Sequence, residues 1–130
     1  MAQDRIIKPR CYVSGKISGL PKQAYMERFA RAEARLRECG FDVCNPTTSW
    51  VVKILSRISY RLTMWYDLHL LRHCDCIYMM YGWESSNGAN MEHQCALRCY
   101  KPVLYSNYTD KGLRHIADKM TETINHCRQS

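Results

Sequence analysis

The sequence predicts an α/β fold in one domain over residues 1–130: a doubly wound parallel sheet of the flavodoxin/Rossmann-like kind, with helices on both faces. Three observations lead there. Short apolar runs alternate along the chain with longer stretches of helical periodicity, the pattern of strands joined by crossover helices. The run Asp75–Tyr81 is short and bounded by turn residues, which marks a buried strand. A length of 130 residues suffices for one core and is too small for two.

The elements follow in order. Ile6–Val13 reads as the first strand, closing at Ser14-Gly15, and Ser14–Pro21 as a glycine-bearing loop. Pro21 suits the first turn of a helix that carries Tyr25, Met26, Phe29, Ala32 and Leu36 to about Cys39, where Gly40 ends it. Phe41–Cys44 is a short strand stopped by Asn45-Pro46. Thr48 or Ser49 caps a helical stretch with Val51, Val52, Ile54 and Leu55, and a second stretch spans about Ser59 to His73. After the Asp75–Tyr81 strand come a helix over Gly88–Tyr100, a strand over Val103–Ser106 and a last helix over Asp110–Cys127, capped by Thr109 or Asp110. In such sheets ligands bind beyond the carboxyl ends of the strands, at a topological switch point. Ser14-Gly15 and Trp83–Gly88 both follow strands and belong on that rim.

Composition narrows the function. No stretch is long and apolar enough to span a membrane, and Met1 to Lys8 lacks the apolar region of a signal peptide, so a cytoplasmic location is expected. The eight cysteines then read as thiols rather than a disulfide framework. Cys74-Asp75-Cys76 and the pair Cys95/Cys99 have the look of metal spacing. With no paired CxxC motifs, and with His73 and His93 off zinc-finger spacing, buried thiols are the expectation and no metal or cofactor is assigned. The formal charge of +7 fits an acidic ligand. Its basic residues are spread over Arg28–Arg37, Lys53–Arg72 and Lys111–Arg128, as on a solvated surface rather than a nucleic-acid groove.

The residues able to do chemistry cluster after the central strand. In Ser86-Asn87-Gly88-Ala89-Asn90-Met91-Glu92 a polar turn opens a helix. Free N–H groups at a helix start can hold an anion, and the carboxylate of Glu92 beside them can act as base or nucleophile. Ser86 also suits a plain helix cap. Asp67 lies among Trp65, Tyr66, Leu68 and Leu70, where an acid either faces outward or serves a purpose. Asp75 is a turn residue or a ligand contact at a strand start, Tyr12 a core aromatic by default. Gly15-Lys16-Ile17-Ser18 lacks P-loop spacing, which argues against an ATPase.

Taken together these residues resemble the nucleoside 2-deoxyribosyltransferase-like superfamily, including its small nucleotide N-glycosidases. Tyr12-Val13-Ser14-Gly15 is similar to that family's first strand and loop. Asp67 stands where its helix aspartate does, and Asp75 begins the central strand as in its recurring pattern. Ser86-Asn87-Gly88-Ala89-Asn90-Met91-Glu92 matches its SxGxxxE signature. Gly82-Trp83-Glu84 and Asn45-Pro46 are most like a branch of small phage and bacterial proteins. The resemblance runs from about Arg10 to Ser106.

That resemblance implies cleavage of the N-glycosidic bond of a nucleoside or nucleoside 5′-monophosphate, by hydrolysis or by transfer to another base. It implies that Glu92 attacks the anomeric carbon, as the nucleophile of a retaining glycosidase does. Asp67 would supply the proton for the leaving base, and Tyr12 would orient Glu92. Ser86 and Gly88 would hold the 5′ end, with Ser14, Gly15 and Lys16 completing the cradle, and Asp75 could touch the ligand. Trp83 would stack on a base or pack at the rim. Lys16 and Ser18 stand where nucleotide hydrolases of this type offer a hydroxyl and an arginine; a lysine neutralises phosphate without a bidentate fork. A homodimer or higher homo-oligomer is implied as well. The competing readings are a non-catalytic nucleotide sensor of the same fold and, on charge alone, an RNA-binding protein, which would want exposed aromatics interleaved with Lys and Arg.

Overall fold

Residues 6–129 are described by the computed structural model; the start of the N-terminal segment read above for a leader, residues 1–5, lies outside them, as does residue 130. The apolar runs form four strands: β1 (Arg10–Ser14), β2 (Asp42–Cys44), β3 (Cys76–Met79) and β4 (Val103–Tyr105). The helices are α1 (Lys22–Glu38), α2 (Trp50–Ile58), α3 (Tyr60–Arg72), α4 (Asn87–Arg98) and α5 (Asp110–Gln129), with single 3-10 turns at Pro46–Thr48 and Trp83–Ser85. All strand pairs are parallel and the order is β2-β1-β3-β4. The chain therefore leaves β1 toward one edge and returns to the other side of it, which makes the β1/β3 boundary the switch point.

Side chains alternate across the sheet, so each strand feeds two cores. Cys11 and Val13 face α1 and α5, where they meet Phe29, Leu36, Leu113 and Ala117. Tyr12 points the other way, toward α3 and α4, among Leu71, Ile77, Met79, Ala89 and Ala96. Helices thus cover both faces, the doubly wound arrangement expected. Each fully buried Leu or Phe contributes about 1.5–3 kcal/mol of transfer free energy.

Local chemistry sets the helix ends. Ser49, Ser59 and Ser86 each accept a hydrogen bond from the N–H three residues on, capping α2, α3 and α4. Pro21 precedes α1 as its N-cap. Tyr100 ends the α4 region in the left-handed conformation, at φ 56°, and Gly82 turns the chain after β3 at φ 83°.

Three boundaries depart from expectation. The first strand does not begin at Ile6: Ile6 and Ile7 are exposed, and Ile7 exchanges hydrogen bonds with the Asn125 side chain on α5 instead. Pro9 has no N–H for a ladder, and pairing starts after it. Ser14, read as loop, is the last residue of β1. β3 stops at Met79, and Tyr81 is solvent-exposed.

No helix among the described residues is long and apolar enough to cross a membrane. Of the eight cysteines, Cys11, Cys39, Cys44, Cys74 and Cys76 are buried, Cys95 is half-buried, and Cys99 and Cys127 are exposed. The expectation of burial holds for the strand cysteines and fails for those on the outer sides of α4 and α5.

Candidate active site

Glu92 is buried because of its helical register. Ala89, Glu92 and Ala96 form the stripe of α4 that lies on the sheet, and the two alanines let the helix approach closely. Asp67 occupies the matching place on α3, between Met64 and Leu71. Both stripes follow the i, i+3, i+7 spacing of one helix face. Each helix therefore brings one carboxyl group to the same side of the sheet, 6% exposed for Glu92 and 9% for Asp67.

β1 meets Glu92 with two donors. Tyr12 and Ser14 are two residues apart and so project to the same face. The Tyr12 hydroxyl donates to Glu92 Oε2, and Ser14 Oγ donates to Oε1 at 2.8 Å. Asp67 has no such support: its Oδ1 is buried without a hydrogen-bond partner. An unsatisfied buried carboxyl oxygen is costly and marks a place for a ligand donor or a proton.

Burial dominates the electrostatics. It pushes Asp67 up to about 7. It also pushes Glu92 up to about 8, with the nearby Asp67 charge adding to the rise and the Tyr12 and Ser14 hydrogen bonds opposing it. The Tyr12 phenol is held well above its usual range, by burial and then by the Glu92 charge, so it stays a donor. Both carboxyls thus hold their protons into the neutral range.

Both acids open on a cavity of about 250 Å³. β1 and its loop contribute Tyr12, Gly15, Ile17 and Ser18; α1 contributes Lys22, Tyr25, Met26 and Phe29; α2 and α3 contribute Val52, Lys53, Ser56, Tyr60, Thr63 and Met64. Ser86, Gly88 and Ala89 line the α4 side. A Cβ at Gly88 would lie 3.4 Å from Met64 Sδ and 3.6 Å from Tyr60 Oη, inside the space the cavity occupies. Gly15 is needed for another reason, since a Cβ there would lie 2.8 Å from Met80 Sδ. Lys16 lines an adjoining hollow with Ser18, Tyr60, Ser86, Asn87 and Gly88, at the start of α4.

Three predicted contacts are not brought to the cavity. Asp75 lies just before β3, and its Oδ2 accepts the Arg10 N–H at 2.8 Å. In a parallel sheet that is the amino edge, opposite the site. Trp83 stacks on His93 with ring centroids 4.4 Å apart and sits near Tyr105, the packed-rim alternative, and it lines neither hollow. Ser14 also misses the cavity wall and turns to Glu92 instead. Ser86 is a helix cap, its Oγ accepting the Ala89 N–H at 3.2 Å; its own hydroxyl hydrogen stays available on the cavity wall.

The sequence reading missed Tyr60, Thr63 and Met64. Their signal was their spacing to Asp67, which places all four on one face of α3. It also missed Thr47, whose turn is pinned when Asn45 Oδ1 accepts from the Thr47 N–H and hydroxyl at 3.0 and 2.7 Å. Among the described residues no three His, Cys, Asp or Glu side chains are grouped to hold a metal ion.

The doubly wound parallel sheet, in the order β2-β1-β3-β4, brings the start of α4 to its switch point. Residues 9–105 match the family described as a domain of unknown function, DUF4406, and the chain belongs to that family. The structure of Clostridium botulinum CMP N-glycosidase, BcmB, is similar to it in fold, at 20% sequence identity and a TM-score of 0.50, over 83% of this chain and 81% of that one. No curated protein matches the sequence.

Proposed function

We propose that this protein cleaves the N-glycosidic bond of a nucleoside or nucleoside 5′-monophosphate, by hydrolysis or by transfer to another base, in the cytoplasm and as a single-domain homo-oligomer. One observation carries the reading: two buried carboxyl groups open on one cavity, Glu92 held by two donors and Asp67 with an oxygen left unsatisfied. A mere binding site needs no such pair, because the cost of burying it serves only a reaction that moves a proton. The fold shared with a CMP N-glycosidase supports the same reading.

In the first step a Glu92 oxygen bonds to the anomeric carbon as the bond from that carbon to the base nitrogen breaks. The base leaves with the proton carried by Asp67. Water or a second base then attacks the anomeric carbon, the glycosyl ester opens, and Glu92 recovers its charge while Asp67 takes back a proton. One proton shared by the pair is the state this chemistry needs. Burial raises both carboxyls, Glu92 to about 8 and Asp67 to about 7, so the pair still holds a proton at neutral pH, and the Tyr12 and Ser14 hydrogen bonds draw Glu92 toward its charged form. The start of α4 and Lys16 suit a 5′-phosphate. Exposed Ile58, Tyr60, Leu62 and Trp65, on the α2–α3 hairpin beside the cavity, are the apolar surface available to a second copy.

Free-base release, followed by chromatography over nucleosides and 5′-monophosphates in ribo and deoxy forms, tests the proposal. Each substrate is run with and without a second base, for the wild type and Glu92→Gln. Release that depends on Glu92 establishes the chemistry, and a new nucleoside in the presence of added base makes it a transferase. Tight binding of one nucleotide with no release anywhere in the panel would replace it with the sensor reading.

A further inference from the structure

We propose that Ser14 is a positioning residue for the nucleophile: it anchors Glu92 Oε1 from behind, so that Oε2 is the oxygen that attacks. The inference rests on the glycosidic reading above and assigns Ser14 a role different from the substrate cradle that the motif resemblance implied.

The geometry is specific. Ser14 is 1% exposed and its Oγ donates to Oε1 at 2.8 Å. It does not line the cavity, although its neighbours Val13 and Gly15 and its partner Glu92 do. Its backbone is fixed on both sides: Ser14 pairs with Met79 in the sheet, its carbonyl accepts the Met80 N–H at 2.9 Å, and Met80 packs onto the bare Cα of Gly15. The hydroxyl therefore has little freedom to turn to substrate. Tyr12, which grips Oε2, does line the cavity. One strand thus holds both oxygens of one carboxylate, from the rear through Ser14 and at the substrate side through Tyr12.

The chemistry follows from that division. As Oε2 bonds to the anomeric carbon, Oε1 becomes the carbonyl oxygen of the glycosyl ester and keeps its Ser14 hydrogen bond. As the ester opens, the electron pair returns to the carboxylate and the same donor stabilises it. The ionisable groups around Glu92 are Tyr12 on β1, Cys44 on β2 and Asp67 on α3, with Lys22 of α1 and Lys53 of α2 on the cavity wall. Burial and Asp67 favour the protonated carboxyl; Ser14 is one of two hydrogen bonds that favour the charged form.

The test reads Glu92 directly. Carboxyl-labelled glutamate is incorporated into the full chain, the Glu92 resonance is assigned by its absence in Glu92→Gln, and its titration is followed without substrate in wild type and Ser14→Ala. The midpoint is expected to move up by about half a pH unit or more, a change of the size expected for one lost hydrogen bond to a charged group. In base-release assays the same variant should lose about tenfold in kcat with KM nearly unchanged, and its acid limb should shift in the same direction. Ser14→Cys, close in size and a weak donor, should fall between the two, and it replaces alanine if that variant does not fold. An unmoved midpoint, or a raised KM at constant kcat, overturns the proposal. If instead the midpoint moves but neither wild type nor Glu92→Gln releases base from any substrate, Ser14 still sets the Glu92 carboxylate and it is the glycosidic reading that fails. Base release by Glu92→Gln at the wild-type rate overturns the proposal, because Glu92 is then not the nucleophile.

Discussion

The two faces of the sheet bury polar groups to opposite ends. On the α1/α5 face, half-buried Arg35 makes four hydrogen bonds: its Nε donates to Asp110 at 2.7 Å, its other nitrogens to the Tyr78 hydroxyl at 3.0 Å, the Ser106 carbonyl at 3.2 Å and the Tyr108 carbonyl. One side chain ties α1 to β3, to the segment after β4 and to α5, and its hydrogen bonds offset what its desolvation costs. On the α3/α4 face, Asp67 has an oxygen with no partner, and Glu92 faces a second acid across a cavity. The strands supply apolar side chains to both cores alike. The difference is whether charge is neutralised or kept in reserve. One face holds the fold together, and the other retains an instability that a reaction can use.

Breaking the reactive face should give the largest effect. Glu92→Gln keeps the size but offers a single acceptor oxygen, to Tyr12 or to Ser14, and is no nucleophile, so turnover should fall by at least about a thousandfold with the folded spectrum intact. Steady-state base release beside circular dichroism checks both halves of that expectation. Asp67→Asn should slow base release by about a hundredfold, the range of a lost general acid, and least for bases that depart easily without protonation. A panel of bases of graded leaving ability would show the gradient, and a uniform loss would mean that Asp67 does not protonate the base.

The other face should respond in stability instead. Arg35→Ala leaves the Tyr108 and Ser106 carbonyls and the Tyr78 hydroxyl short of a partner, which predicts a loss of about 2–3 kcal/mol in urea unfolding with kcat unchanged where the protein remains folded. An equal loss of kcat would blur the division between the faces.

The smallest effect is a pH dependence of stability. In the folded chain Asp67 and Glu92 hold their protons to about 7 and 8, by burial, whereas unfolded carboxyls release them near pH 4. The folded state therefore binds more protons through that interval, and the contribution of these groups to stability falls as pH rises from about 4 to 8. Glu92→Gln should flatten the fall, so its melting temperature at pH 8 relative to pH 5 should exceed that of the wild type by about 3–6 °C. A parallel decline in both proteins would show that Glu92 ionises in the fold as freely as in the unfolded chain.

Much of this molecule is legible in one dimension because its information is local. Alternating apolar runs set the α/β class, serines at 49, 59 and 86 start helices by capping their own backbone, and helical spacing is enough to put Glu92 and Asp67 on buried stripes. Strand ends were less legible: Pro9 and the Asn125 contact, rather than the apolarity of Ile6 and Ile7, determine where β1 starts. What only the tertiary structure decided is which partner each polar residue meets. Parallel pairing puts Asp75 at the sheet edge away from the cavity, His93 draws Trp83 into the rim, and the close approach of α4 to β1 turns Ser14 from the loop to Glu92. Arg35, one basic residue in a run of them, gains its role from three segments distant in sequence. Period and capping act within a few residues and are written in the chain; desolvation and hydrogen bonding depend on neighbours that only the packed sheet brings together.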